Sequence, residues 1–419
     1  MLELSDRIQE QDRTMTDVQV RLTGLRILVV MPTIPLHGME RKTIHVMKGL
    51  RERGADVLFI TQQTYGQRIQ KEVDGIGCRW VPASFDKLLH LPRRPGEALS
   101  ILRSWVRSAS EFNAIRKEYK PTHIHIPNLT FFLYCWPVLL NASETVVFAL
   151  PNPPDKSFSG LRRHLNNFIW REGVARVCDH IVCNSKFTAS ELGAAGVEAH
   201  KTSIIYNCAP DRPVRSGDAP VVDRSRLNVA FLGRICAEKG VRELVEAALR
   251  IASEMENVDF HIAGDYRWQN PFAESLIKEV DSKGLASRVR FIGEVNDVGE
   301  FLAQCDLHVC PSVWDEPFGL VVLEAKSQSL PSVIFPSGGL KEVVTHLVDG
   351  YVCQEKTSEA LYQGLRFFLD RPQLMRQAGQ RARRSASSLR ESAGNDWASL
   401  FSGHTETIRK SSPFLRCDD

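Results

Sequence analysis

The chain has 419 residues, 43% hydrophobic and 25% charged, which is too long for one hydrophobic core and too apolar for a disordered chain, so two domains are expected. At a net charge of +3 no nucleic-acid partner is expected, yet residues 1–217 hold 29 Lys+Arg against 21 Asp+Glu, a surplus that suits an anionic membrane surface or a phosphate-bearing partner. The longest apolar run, residues 129–140, falls short of the roughly 20 residues a bilayer span needs, and the N-terminus lacks the apolar stretch of a secretory signal, so a cytoplasmic chain is expected.

Residues 1–24 are polar and without a sustained pattern, a predicted extension. Residues 26–31, Arg-Ile-Leu-Val-Val-Met, read as a buried parallel strand. A helix over 39–53, a strand over 56–61, a basic helix within 98–119 and strands near 122–126, 145–150, 180–184 and 202–206 follow. The basic helical region around Arg93, Arg94, Arg103 and Arg107, with Leu102, Trp105 and Val106 interleaved, fits an interfacial helix on anionic lipid or an amphipathic helix packed on its own domain. Turn-formers between Pro210 and Arg226 mark a linker, drawn at 213–226. The alternation then restarts with apolar runs at 227–232, 258–263, 289–292, 307–310 and 332–335, each leading into a helical stretch.

This alternation predicts an α/β chain of two doubly wound parallel sheets, residues 25–212 and 227–385, with ligand binding at the carboxyl ends of the strands in a cleft between the domains, and a C-terminal helix and tail, 386–419, packing back on the first domain. Ten cysteines fit no common zinc or redox spacing; the closest pairs, Cys178 with Cys183 and Cys305 with Cys310, read as reduced thiols. The sequons at Asn128 and Asn141 are read as chance matches.

The chemistry concentrates in Glu316-Pro-Phe-Gly-Leu-Val-Val-Leu-Glu324. Pro317 is suited to the first position of a helix, which leaves Glu316 just outside it and the amides of Phe318, Gly319 and Leu320 free to bind a phosphate group. Glu324 then lies about 7.5 Å along the axis from Gly319, the span from a diphosphate to its ribose. One segment can therefore hold a nucleotide sugar: Glu316 on the sugar, the amides on the diphosphate, Glu324 on the ribose. The same pair on an ordinary helix would be two solvated acids, so context decides. That context is Phe231-Leu-Gly-Arg-Ile-Cys-Ala-Glu-Lys-Gly240, after the first strand of the second domain. Arg234 and Lys239 there can neutralise a departing diphosphate without a metal, and the chain contains no Asp-x-Asp; their alternative is pairing with Glu238 or Glu243.

The second half resembles the retaining glycosyltransferases of family 4, through Gly233-Arg234, Lys239-Gly240, Ile262-Ala263-Gly264, the run ending at Gly293, the two glutamates with seven residues between them, Ser337-Gly-Gly-Leu-Lys-Glu342 and Asp349-Gly350. The first half is similar more loosely, at residues 122–128, 181–185 and 204–207. The resemblance implies the GT-B fold of two facing Rossmann-like domains. It also implies donor binding by Gly38, Gly233, Gly264, Gly293, Phe318, Gly319, Leu320 and Glu324, with catalytic parts for Arg234, Lys239, Glu316 and His125. It places His125 after its strand, against the donor sugar. Only Gly38 stands in the first loop where relatives carry two adjacent glycines; Met39 follows it, which limits how closely the backbone can approach. Lys341 stands where relatives often have proline.

The expected activity is thus retaining, metal-independent transfer from a nucleoside-diphosphate sugar, without a cofactor, to a hydroxyl of a carbohydrate or lipid-linked acceptor, in bacterial cell-surface polysaccharide or glycolipid synthesis, with the protein cytoplasmic or peripheral on the inner face of the membrane. The alternatives are a GT-B epimerase or phosphorylase, and a nucleotide-sugar-binding protein without activity. Neither first strand is followed by Gly-x-Gly-x-x-Gly, which disfavours a Rossmann oxidoreductase.

Overall fold

The computed structural model describes residues 20–31, 38–62, 68–85, 95–154, 159–208, 225–266 and 270–404. Most of the expected extension and linker, Arg93 and Arg94, and the tail beyond residue 404 lie outside them.

The N-terminal half alternates β1 (Arg26–Val30), α1 (Gly38–Glu52), β2 (Asp56–Gln62), α2 (Arg68–Gly75), β3 (Arg79–Ala83), α3 (Pro95–Tyr119), β4 (His123–Ile126), α4 (Leu129–Leu139), β5 (Thr145–Leu150), α5 (Gly160–Phe168), β6 (His180–Cys183), α6 (Lys186–Ala194) and β7 (Thr202–Ile204). Their strands form a seven-stranded sheet of order β3-β2-β1-β4-β5-β6-β7. The second half runs β8 (Leu227–Leu232), α7 (Val241–Glu254), β9 (Val258–Ala263), α8 (Pro271–Ser282), β10 (Val289–Gly293), α9 (Val298–Leu302), β11 (Leu307–Cys310), α10 (Leu320–Ser327), β12 (Ser332–Ile334), α11 (Leu340–Val343), β13 (Gly350–Val352), α12 (Ser358–Leu369) and α13 (Pro372–Phe401). Its sheet has the order β10-β9-β8-β11-β12-β13.

The described pairings in both sheets are parallel. The cause is visible in burial: β1 and β9 are buried on both faces, with no alternation, as strands covered by helices on each side must be. Each sheet also has a point where the strand order reverses, between β1 and β4 and between β8 and β11. The carboxyl ends of strands at such a point are where ligands bind in open α/β sheets.

Among the expected strands, all eleven are present. Two others went unread: β3, an edge strand with Arg79 exposed and Pro82 in its sequence, and the three-residue β13. Both are places where the apolar run is too short or too interrupted to signal a strand.

One compact unit gathers the described residues up to Phe148, Val177–Asp179 and residues 394–404, while the other gathers the described residues within 149–176 and 180–393. In the first, α3 donates Trp105 Nε1 to Leu133 O of α4 at 2.8 Å but leaves Leu99, Leu102 and Val106 exposed. The end of α13 supplies Trp397 and Phe401 against β4. In the second, Leu244, Ala248 and Ile251 of α7 recur at helical spacing and close over Phe231 and Phe260 of the sheet, joined by Leu361, Leu365 and Phe368 of α12.

Candidate active site

At the carboxyl edge of the second sheet β10 ends in Gly293, and its neighbours β9 and β8 are followed directly by Gly264 and Gly233. Gly233 N donates to Ala263 O at 3.0 Å and Gly264 N to Gly293 O at 2.8 Å, so the hydrogen-bond ladder continues past the strands. A Cβ on Gly264 would meet Gly233 O at 1.8 Å. The edge is therefore backbone-only, which leaves it open to a ligand at the reversal point of the sheet.

Beside it, the turn after β8 and the loop after β11 are locked together. Gly240, at φ +67°, has no room for a Cβ, which would sit 1.8 Å from Pro311 O. Val313 N and Trp314 N both donate to Glu238 O, at 3.0 and 3.1 Å. Lys356 Nζ adds bonds to Val313 O at 2.8 Å and Asp315 Oδ1 at 3.1 Å. The loop is held from both sides.

On that frame Lys239 Nζ meets Glu316 Oε1, and Ser312 Oγ donates to the same oxygen at 2.6 Å. The two charged side chains keep 24% and 13% of their surface exposed, so the pair is neither sealed nor freely solvated. Ser337 Oγ donates to Ser312 O, and Gly339 N to Glu316 O at 2.7 Å. Gly338 and Gly339 pack so closely that a Cβ on either would come within 2.4 Å of the carbonyls of Glu316 and Pro317. Arg234, on the turn after Gly233, is exposed.

The helix begins later than the sequence suggested. Pro317 is not its first residue: α10 starts at Leu320, with Gly319 as a left-handed cap at φ +95°. The reason is tertiary. Pro317 O accepts from Ser185 Oγ at 2.6 Å, Phe318 is buried 5.7 Å from the Tyr206 ring, and a Cβ on Gly319 would meet Leu340 Cδ2 at 2.3 Å. Leu320 and Val321, not Phe318 and Gly319, thus supply the amides left without a partner inside the helix. Phe318 can meet a ligand only through its backbone, and Glu324 stands four residues into the helix, about 6 Å from its start.

Lys326, two residues past Glu324, is fully buried and bonds Asp349 Oδ2 at 2.7 Å and Val343 O, while Asp349 Oδ1 accepts from Thr345 N at 2.9 Å. This pair ties α10 to the turn after α11. Burial lowers the Lys326 pKa, and Asp349 opposes that shift. Glu342 makes a second tie: it accepts from Lys186 N and Phe187 N, both at 2.8 Å, and from Tyr206 OH at 3.0 Å. Ser312, Lys326 and the contacts of Glu342 went unread in the sequence. For Ser312, its place four residues before Glu316 was the one available signal.

In the first unit, His125 lies inside β4, paired with Val29 and Val147, and not after the strand as the resemblance implied. Its ring is 1% exposed and sits 5.6 Å from Trp397 and 6.2 Å from Phe401. Burial, with a smaller push from Lys42, lowers its pKa to about 3, which makes it a neutral imidazole. Its Nδ1 is buried without a hydrogen-bond partner. Gly38 is exposed at the first position of α1. Among the described residues no group of three or more His, Cys, Asp or Glu is placed to hold a metal ion, and no helix is long and apolar enough to cross a membrane.

Residues 220–385 match the sequence model of the glycosyl transferases group 1, and residues 36–211 that of glycosyltransferase family 4. An uncharacterized glycosyltransferase from Methanocaldococcus jannaschii is 32% identical over 139 residues, 33% of this chain and 34% of that one, so the chain spans about a third of that relative. The lipopolysaccharide core biosynthesis glycosyltransferase LpsE from Rhizobium meliloti is 26% identical over 322 residues, covering 72% of this chain and 76% of the relative. Among solved structures, HepE from Anabaena in complex with UDP-glucose superposes with a TM-score of 0.70 at 20% identity, covering 92% of this chain and 100% of the other. At that identity the likeness carries the fold, which is GT-B.

Proposed function

From a chain that belongs to the group 1 and family 4 glycosyltransferases, we propose a retaining, metal-independent enzyme that moves a sugar from a nucleoside-diphosphate donor to a hydroxyl of a carbohydrate or lipid-linked acceptor. The observation that carries the proposal is the Lys239–Glu316 pair with Ser312, mounted beside a side-chain-free strand edge. A carboxylate so oriented can accept sugar hydroxyls. The ammonium beside it, with Arg234, can neutralise charge that develops on a departing diphosphate, the role a metal fills elsewhere. The amides of Leu320 and Val321 then meet the diphosphate and Glu324 the ribose. Retention follows where the leaving diphosphate takes the acceptor proton on the same face of the sugar.

We assign donor binding to residues 227–385 and acceptor recognition to residues 25–212. His125 has the part of a neutral, orienting imidazole, since its lowered pKa rules it out as a cationic acid at neutral pH. Lipopolysaccharide-directed relatives support a cell-surface polysaccharide or glycolipid acceptor and a working place on the inner face of the membrane. UDP in a structural neighbour makes uridine donors the first to try.

The test is a thermal-shift screen against uridine, guanosine and adenosine diphosphate sugars, followed by donor hydrolysis without acceptor. A stabilising donor that is slowly hydrolysed supports the enzyme; stabilisation without hydrolysis or transfer supports a binding protein instead.

A further inference from the structure

Helix α5, Gly-Leu-Arg-Arg-His-Leu-Asn-Asn-Phe, has no buried residue. Its apolar side chains are Leu161, Leu165 and Phe168, at spacings of four and three that put them on one face. That face is turned outward: the three are 85%, 56% and 49% exposed, while Asn166 and Asn167 on the opposite side are the half-buried ones. A helix packed for stability does the reverse. Arg162 and His164 flank the stripe and Arg163 lies on the far side of the helix, all three exposed, and the helix holds no acidic residue.

We propose that α5 is a lipid-docking helix, with Leu161, Leu165 and Phe168 entering the boundary between headgroups and acyl chains and Arg162 and Arg163 meeting anionic headgroups. An outward apolar stripe on a helix whose charged residues are all basic is the pattern of a helix lying in a membrane interface. Charge chooses the occupant. Against a second copy of the chain, an isologous contact would face Arg162 and Arg163 with their own like charges. Against anionic lipid the same residues are attractive. Charge also ranks α5 above α3 of the other unit, whose exposed Leu99, Leu102 and Val106 adjoin Arg103 and Arg107 but share their helix with Glu97, Glu111 and Glu118, Glu111 facing Arg107 at 3.9 Å. The inference names the membrane element for the lipid-linked acceptor proposed above, and rests on that reading for its purpose only.

The experiment is co-sedimentation of the full chain with vesicles of phosphatidylcholine alone or mixed with phosphatidylglycerol. The chain is expected to bind the anionic vesicles, with binding that falls as salt rises. Leu161→Asn/Leu165→Asn/Phe168→Ser should lower binding by about tenfold or more, since three apolar side chains no longer leave water. Arg162→Gln/Arg163→Gln should lower it by about tenfold on anionic vesicles and flatten the salt dependence. These residues are exposed and outside the donor site, so both variants keep the melting temperature and the donor hydrolysis of the parent. Wild-type levels of binding in the apolar variant, no binding by the parent, or a change in oligomeric state in place of lipid binding each overturn the proposal and leave the donor reading standing.

Discussion

Glu316 and Lys239 stand 77 residues apart in the chain and touch in the structure, with Ser312 donating to the same carboxylate oxygen. Neither charge is deeply buried, so the pair adds little to stability, whereas both groups are placed where a sugar diphosphate would need them. Glu316→Ala and Lys239→Ala should each lower turnover by about a hundredfold or more without changing the melting profile. Ser312→Ala should cost about tenfold, because it loosens Glu316 without removing it. Single-turnover donor hydrolysis, with circular dichroism melts alongside, checks all three. Undiminished transfer by either charge variant sinks the assignment.

The glycine edge yields a test of space against backbone preference. In Gly264→Ala the new methyl would meet Gly233 O at 1.8 Å, and in Gly240→Ala it would meet Pro311 O at the same distance on top of a φ of +67°. Each should destabilise its unit by roughly 2–4 kcal/mol and weaken donor binding, since the neighbouring backbone must move. Gly284→Ala is the control: φ is +68° there, but nothing lies within 4 Å of the added carbon. It should cost only about 1 kcal/mol. Urea unfolding and donor titration of the three variants separate the two effects.

The strands that were legible in the sequence are those buried on both faces, such as β1 and β9, because a continuous apolar run needs no partner to be recognised. Glu316, Lys239 and the strand-end glycines were legible because residue type and spacing state their chemistry. The start of α10 was not. Pro317 carries the local signature of a first helical residue, and what moves the start to Leu320 is the side chain of Leu340 against Gly319 and the hydroxyl of Ser185 on Pro317 O. The burial of His125 was not legible, since the rings that cover it come from the C-terminal helix. Nothing local singles out Lys326, because its partner Asp349 lies 23 residues on, beyond any helical spacing.

The buried Lys326–Asp349 pair makes a prediction of its own. Both side chains are almost fully enclosed, so removing one charge strands the other, at a cost of about 3–5 kcal/mol. Lys326→Met and Asp349→Leu should therefore each destabilise strongly, while the double variant should recover much of the loss, since an apolar pair of similar volume avoids the desolvation of both ions. Because Lys326 shares α10 with Glu324, the single variants should also raise the donor KM more than they lower kcat. A double variant no more stable than the singles would show that the pair is not the unit of interaction.

Three buried histidines set the response to acid. Burial lowers His125 and His308 from 6.5 to about 3, and His261 to about 4, with Arg290 adding to the last. Between the folded and unfolded values the unfolded chain binds more protons, so acid favours unfolding. The stability these groups contribute is complete above pH 6.5 and is lost as pH falls towards 4 and then 3. Each should contribute a slope of about 1.4 kcal/mol per pH unit in that window. His125→Phe, which suits the aromatic surroundings of Trp397 and Phe401, should flatten the slope for the first unit by about that amount, and His308→Gln should do so for the second. Urea unfolding at pH 5.5 and 4.5, followed with one probe in each unit, checks the slopes. A His125→Phe chain that keeps the parental slope would mean that this ring is already protonated in the folded state.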